Sequence, residues 1–180
     1  MPRGEAPTEA APERPKNLIL ISIDTLRADH LGCYGYQRAT SPRIDAFAAK
    51  GTVFRNCTSS SSWTVPAHLS MLTGVEPAAH GCLYYGMAGR LNHAYETMAK
   101  VFTRHGYRTA GFTGGGYAGA RHGLDIGFER FGTHGMNFEH NLPAARRFLA
   151  DVGDAPFFLF LHGFNPHRPY TPPAPYNQRF

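Results

Sequence analysis

NLILISI, residues 17–23, is an unbroken apolar run rich in Ile and Leu that ends at Asp24. Without polar alternation, such a run reads as a central parallel strand buried on both faces. PFFLFLH at 156–162, the most apolar stretch of the chain, reads the same way. YRTAGFT at 107–113 and TVFRNCTS at 52–59 read as further, shorter strands. Helical signals fall between them. In SPRIDAFAAKG, Ser41 suits an N-cap, Pro42 a first helical residue and Gly51 a stop. Residues 66–73 follow a hydroxyl-rich loop as a short helix. Residues 94–105 place Met98, Val101 and Phe102 at helical spacing, and 142–152 do the same with Leu142, Ala145, Phe148 and Leu149. Strands alternating with helices predict an α/β fold with a mainly parallel sheet flanked by helices.

Composition narrows the function classes. The chain has 180 residues, 42% hydrophobic and 17% charged, which suits one globular domain with a core. Residues 1–16, rich in Pro, Ala and Glu, read as a disordered tail without an apolar signal region. No stretch approaches eighteen apolar residues, so no membrane span is expected, and the location expected is cytoplasmic. The net charge of +5 suits a small anionic substrate, and the absence of any Lys/Arg run gives no nucleic-acid signature. Cys33, Cys57 and Cys82, odd in number and widely spaced, do not describe a disulfide framework. Oligomeric state is left open.

Chemistry is expected at the carboxyl ends of the parallel strands, where ligands of open α/β sheets bind. Asp24 ends the first strand and reads either as a loop carboxylate held by backbone N–H groups or as a ligand for a divalent cation. In SSSSWTVPAHLSMLTG, residues 59–74, Thr64 precedes Pro66. It reads either as a helix cap or as a hydroxyl nucleophile at a helix N-terminus, where free N–H groups and the dipole favour an anion. Gly114–Gly116 follow a later strand. His162, Asn165 and His167 follow the last one, with Asn165 and His167 as candidate substrate-binding groups.

Taken together, three stretches resemble the N-terminal part of the sulfatases, within the alkaline phosphatase superfamily. They are residues 17–74, from NLILISIDTLRADHLGCYGYQ to SSSSWTVPAHLSMLTG, then GYRTAGF at 106–112, then PFFLFLHGFNPHRPYTPP at 156–173. The resemblance runs from Asn17 to Tyr176. It implies an alkaline-phosphatase-like fold and a metal-dependent hydrolase of sulfuric or phosphoric esters. It also implies a divalent cation, calcium first, with zinc, magnesium or manganese as alternatives. Asp24 matches the first metal-binding Asp of the family, and Thr64, as nucleophile, would join it as a ligand. His167 matches a histidine that meets the ester near its leaving group.

The same resemblance exposes departures. Thr64 stands where most sulfatases carry the Cys or Ser that becomes formylglycine, and its Cβ methyl bars conversion to that aldehyde. His68 stands where an Arg orients the nucleophile, which makes it a third catalytic candidate beside Thr64 and His167. Thr25 replaces a second Asp, and Gly114 and Gly116 replace a Lys-x-His pair. Threonine is the nucleophile in other branches of the superfamily, which implies a phosphoesterase or phosphotransferase as an alternative, and the losses imply a non-catalytic binding domain as another. The family completes its metal site with a downstream Asp and an Asn or His that residues 168–180 do not supply. The expectation is therefore an incomplete domain, 17–180, belonging to a longer enzyme and inactive alone.

Overall fold

The fold is that of a computed structural model, which describes residues 17–83 and 89–179. The tail expected at 1–16 lies outside the described residues. Four strands, β1 (Asn17–Ile23), β2 (Arg108–Thr113), β3 (Arg130–Thr133) and β4 (Phe157–Gly163), form one sheet in the order β1-β4-β2-β3. Every pairing is parallel, with Asn17 opposite Phe157 at one end of β1 and Ile23 opposite Gly163 at the other. The helices are α1 (Pro42–Ala48), α2 (Thr64–Thr73), α3 (Pro77–His80), α4 (Met98–Arg104) and α5 (Phe138–Asp151).

β4 is the hub. It pairs on both edges and all seven of its residues are buried. Its alternation divides the core in two, because successive side chains of a strand face opposite ways. Phe158 and Phe160 join Val65, Leu69 and Leu72 of α2 and Ala99 of α4 on one face. Phe157, Leu159 and Leu161 join Ala144, Ala145 and Phe148 of α5 on the other. Each buried Phe or Leu contributes about 1.5–3 kcal/mol, so the strand with the most apolar sequence takes the centre.

β1 does not occupy the central position expected of it. It is an edge strand whose exposed and half-buried residues alternate. Leu18 and Leu20 pack on the α2 side, while Ile19 and Ile21 are 49% and 56% exposed. Those two isoleucines pair with Leu159 and Leu161, but α5 lies over β2 and β4 and stops short of them. Apolar residues on both faces hid the alternation.

Three further expectations change. Residues 52–59 form no strand: with Phe54 exposed and its carbonyl accepting from the Tyr34 hydroxyl, this segment finds no partner strand. β3 was unforeseen because RFGT is short and contains Gly. It forms where Gly111 leaves room for the Phe131 ring, which a Cβ there would meet at 2.8 Å. α5 begins four residues earlier than its apolar spacing suggests and carries Pro143 inside its first turns. Among the described residues no helix is long and apolar enough to cross a membrane.

Candidate active site

The carboxyl ends of β1, β2 and β4 meet at one edge of the sheet, as a parallel arrangement requires. Asp24 leaves β1 there with its N–H bonded to the Gly163 carbonyl of β4 at 3.0 Å. Thr25 follows with φ of 55°, a left-handed conformation that costs a β-branched residue about 1–3 kcal/mol. It turns the chain sharply away and leaves the Asp24 side chain buried.

α2 supplies the opposite wall. It begins at Thr64, two residues before the expected start, and Trp63 takes the cap position without a side-chain cap bond. Pro66 fits the first turn, where its missing N–H has no helical acceptor to lose. Gly74, with φ of 69°, closes the helix. Thr64 therefore does not cap. Its Oγ1 donates instead to Asp24 Oδ2 at 3.0 Å.

Two buried histidines organise this pair. His162, fully buried at the end of β4, accepts the Gly114 N–H on Nδ1 at 3.2 Å, so its Nε2–H donates to Asp24 Oδ2 at 3.3 Å. His68, one turn along α2, donates from Nδ1 to the Thr64 carbonyl at 2.7 Å, and its Nε2 accepts from Ser22 Oγ at 2.8 Å. The two rings meet edge to face with centroids 4.8 Å apart. Burial, then the neighbouring His162, holds His68 below the usual histidine range, against the opposing pull of the Thr64 carbonyl and Asp24. Burial pushes the Asp24 carboxyl up, but the His162 and Thr64 hydrogen bonds and the two imidazoles outweigh it and leave Asp24 below its ordinary value.

A cavity of about 850 Å³ opens over this network and is lined by Asp24, Thr64, His68 and His167, with Tyr117 and Arg168 at its rim. That volume is large enough for a small organic molecule. The structure thus brings together four of the five residues singled out from sequence. Asn165 stands apart. Its Oδ1 accepts the Phe138 N–H at 2.9 Å and its Nδ2 donates to Glu139 at 3.0 Å, so both ends serve the start of α5. His167 is half-buried, with its ring edge-on to Phe164 and its Nδ1–H donating to the Arg168 carbonyl at 2.7 Å.

A model of the sulfatase family matches residues 16–180. The chain belongs to the sulfatase family. It is 33% identical over 144 residues to steryl-sulfatase of Mus musculus, covering 70% of this chain and 23% of that one. It is 36% identical over 121 residues to arylsulfatase A of Homo sapiens, covering 64% and 22%. This sulfatase-family chain therefore spans less than a quarter of the length of those relatives. Its fold matches an alkaline phosphatase superfamily protein from Vibrio parahaemolyticus with a TM-score of 0.71 at 21% identity, covering 90% of this chain and 43% of that one.

The metal implied by sulfatase resemblance finds the right donor type here but too few donors. Asp24 and Thr64 supply oxygens, whereas a hard dication such as calcium takes six to eight. Among the described residues no three His, Cys, Asp or Glu side chains gather to hold a metal ion. Ser22 and His162 are site residues that no motif singles out, although strand periodicity and pairing carry a signal for them. Strand period two puts Ser22 on the face of Asp24, and the β1–β4 register sets Ser22 opposite His162.

Gly114 also has a physical explanation. A Cβ there would lie 2.3 Å from the Met136 carbonyl oxygen and 2.5 Å from the Phe164 ring. Its backbone N–H is the donor that fixes His162. A lysine at this position would break the packing that orients the Asp24 network.

Proposed function

We propose that this chain carries the nucleophile half of a hydrolase acting on sulfuric or phosphoric esters, with Thr64 at the position that formylglycine occupies in most sulfatases. The observation that supports it is the Thr64 Oγ1–H···Asp24 Oδ2 hydrogen bond at the floor of an open cavity. In this reading Thr64 Oγ1 attacks sulfur or phosphorus and its proton passes to Asp24. The bond from sulfur or phosphorus to the leaving oxygen breaks. His167, as the imidazolium, donates a proton from Nε2 to that oxygen, since its Nδ1 is committed to the Arg168 carbonyl. Water then attacks the sulfur or phosphorus as His167 takes its proton, the bond to Thr64 Oγ1 breaks, and Asp24 returns its proton to Oγ1. His162 holds the accepting carboxylate, and His68 holds the first turn of α2 through the Thr64 carbonyl. Asn165 acts at one remove, by seating the start of α5.

A divalent cation, calcium first and zinc, magnesium or manganese next, would take Asp24 and Thr64 as two of its oxygens and lower the pKa of a bound hydroxyl. Its remaining ligands would come from outside the described residues. Because the Thr64 methyl bars the aldehyde, an oxygen nucleophile that forms a phospho-threonine is the second reading, with phosphoric esters as its substrates.

The test is acid-quench trapping. The purified protein is mixed with 4-nitrophenyl sulfate or 4-nitrophenyl phosphate, and the peptide holding Thr64 is weighed by mass spectrometry. A sulfuryl or phosphoryl adduct on Thr64, lost in Thr64→Ala, supports the reading and tells the two ester classes apart. Turnover that survives Thr64→Ala sinks it. Oxyanion binding with neither adduct nor turnover marks a binding domain instead.

A further inference from the structure

The cavity over Thr64 is lined by one carboxylate, Asp24, and one guanidinium, Arg168. A sulfuryl or phosphoryl ester entering it brings its own anionic oxygens close to the Asp24 charge, and a low-dielectric site needs a cation to offset both. The other basic groups at the cavity are committed. His68 uses both ring nitrogens, on the Thr64 carbonyl and Ser22 Oγ. His167 spends Nδ1 on the Arg168 carbonyl, and its Nε2 is assigned to the leaving oxygen rather than to the anionic ones. Gly114 has no room for a side chain at all.

Arg168 differs from the chain's other cavity groups in being uncommitted. Among the described residues no carboxylate lies within ion-pair distance of it, whereas Arg27, Arg90, Arg104, Arg108 and Arg130 are each paired with an acid. Its backbone is nonetheless tied down, because its carbonyl accepts from His167 and the His167 N–H donates to the Phe164 carbonyl at 2.7 Å. The loop after β4 thus holds an exposed guanidinium at the rim of the cavity on an anchored main chain.

We propose that Arg168 is the anion-binding residue of this site, its planar fork taking two oxygens of a sulfuryl or phosphoryl group. This rests on the cavity being the ester site. Arg168 supplies, from the loop after β4, a positive charge that Gly114 and Gly116 do not carry.

Isothermal titration of the purified protein with inorganic sulfate and with inorganic phosphate tests it without requiring turnover. Loss of one charge-assisted bidentate contact in Arg168→Gln should weaken oxyanion binding about tenfold or more. Arg168→Lys, which keeps the charge and loses the fork, should fall between the two. Thermal melting should be unchanged in both variants, since no ion pair is lost. Equal binding by Arg168→Gln overturns the assignment, and Thr64 trapping in that variant shows whether the ester-hydrolase reading stands without it. Failure of the unaltered protein to bind either oxyanion overturns both.

Discussion

Thr64 and Asp24 are forty positions apart in the chain and 3.0 Å apart in the fold, with the Thr64 hydroxyl donating to Asp24 Oδ2. The bond ties the first residue of α2 to the end of β1 and gives the hydroxyl a resident proton acceptor. Thr64→Ala should abolish the covalent adduct and cost about 1 kcal/mol of stability for the lost hydrogen bond. Asp24→Asn should leave the hydroxyl in place and slow adduct formation about 10²–10⁴-fold. Quenched-flow mass spectrometry separates the two, and equal rates in Asp24→Asn would remove Asp24 from the chemistry.

His162 is the buried post on which this arrangement stands. His162→Phe keeps the ring volume but leaves the Gly114 N–H and one bond to Asp24 Oδ2 unmade. Each buried polar group left without a partner costs about 1–3 kcal/mol. Urea unfolding should show a loss in that range, with an unchanged slope. A variant as stable as the parent would mean water serves both groups equally well.

Acid should weaken the fold near neutrality through His68. Its folded-state pKa lies below the ordinary value of about 6.5, so between the two the unfolded chain binds more protons. The contribution is complete above about pH 7.5 and is lost as pH falls through about 6.5 toward the lower folded-state value. Asp24, whose folded pKa is also depressed, adds a second loss of the same sign below about pH 4. Melting temperatures should therefore fall as pH drops below about 7.5, and His68→Gln should flatten that slope. An unchanged slope in the variant would place the proton uptake elsewhere.

Gly114 and Gly116 predict opposite tolerances. Gly114→Ala forces a Cβ against the Met136 carbonyl and the Phe164 ring and should cost about 2 kcal/mol or more, with disturbance of the Asp24 network. At Gly116, with φ of 57°, nothing lies within 4 Å of an added Cβ. Gly116→Ala should cost only about 1 kcal/mol, from the left-handed backbone. Equal destabilisation of the two variants would contradict the packing account.

Much of the fold was legible because burial leaves a periodic mark. β2 and β4 stand within a residue of their expected bounds, and Ser41 and Pro42 sit at the helix start their chemistry favours, whereas α1 stops at Ala48, short of Gly51. β3 left no such mark, because its four residues are held by β2 and not by their own pattern. Residues 52–59 show the converse, since a β-prone sequence forms a strand only where a partner edge is free.

The order of chemistry-bearing residues along the chain raised Asp24, Thr64 and His167 at the carboxyl ends of a parallel α/β sheet, and the resemblance to the sulfatases added His68. Local sequence carries that much, since strand ends and helix starts are written in adjacent residues. Which of those residues meet was decided by tertiary structure. Only the β1–β4 register and the seating of α2 put Thr64, Asp24 and His162 on one carboxylate oxygen. The same long-range packing placed β1 at the edge and gave Asn165 to α5. Hydrogen bonds between residues forty to one hundred and thirty-eight positions apart leave no periodic trace in the chain. They exist only once burial has made an unpartnered polar group too costly to keep.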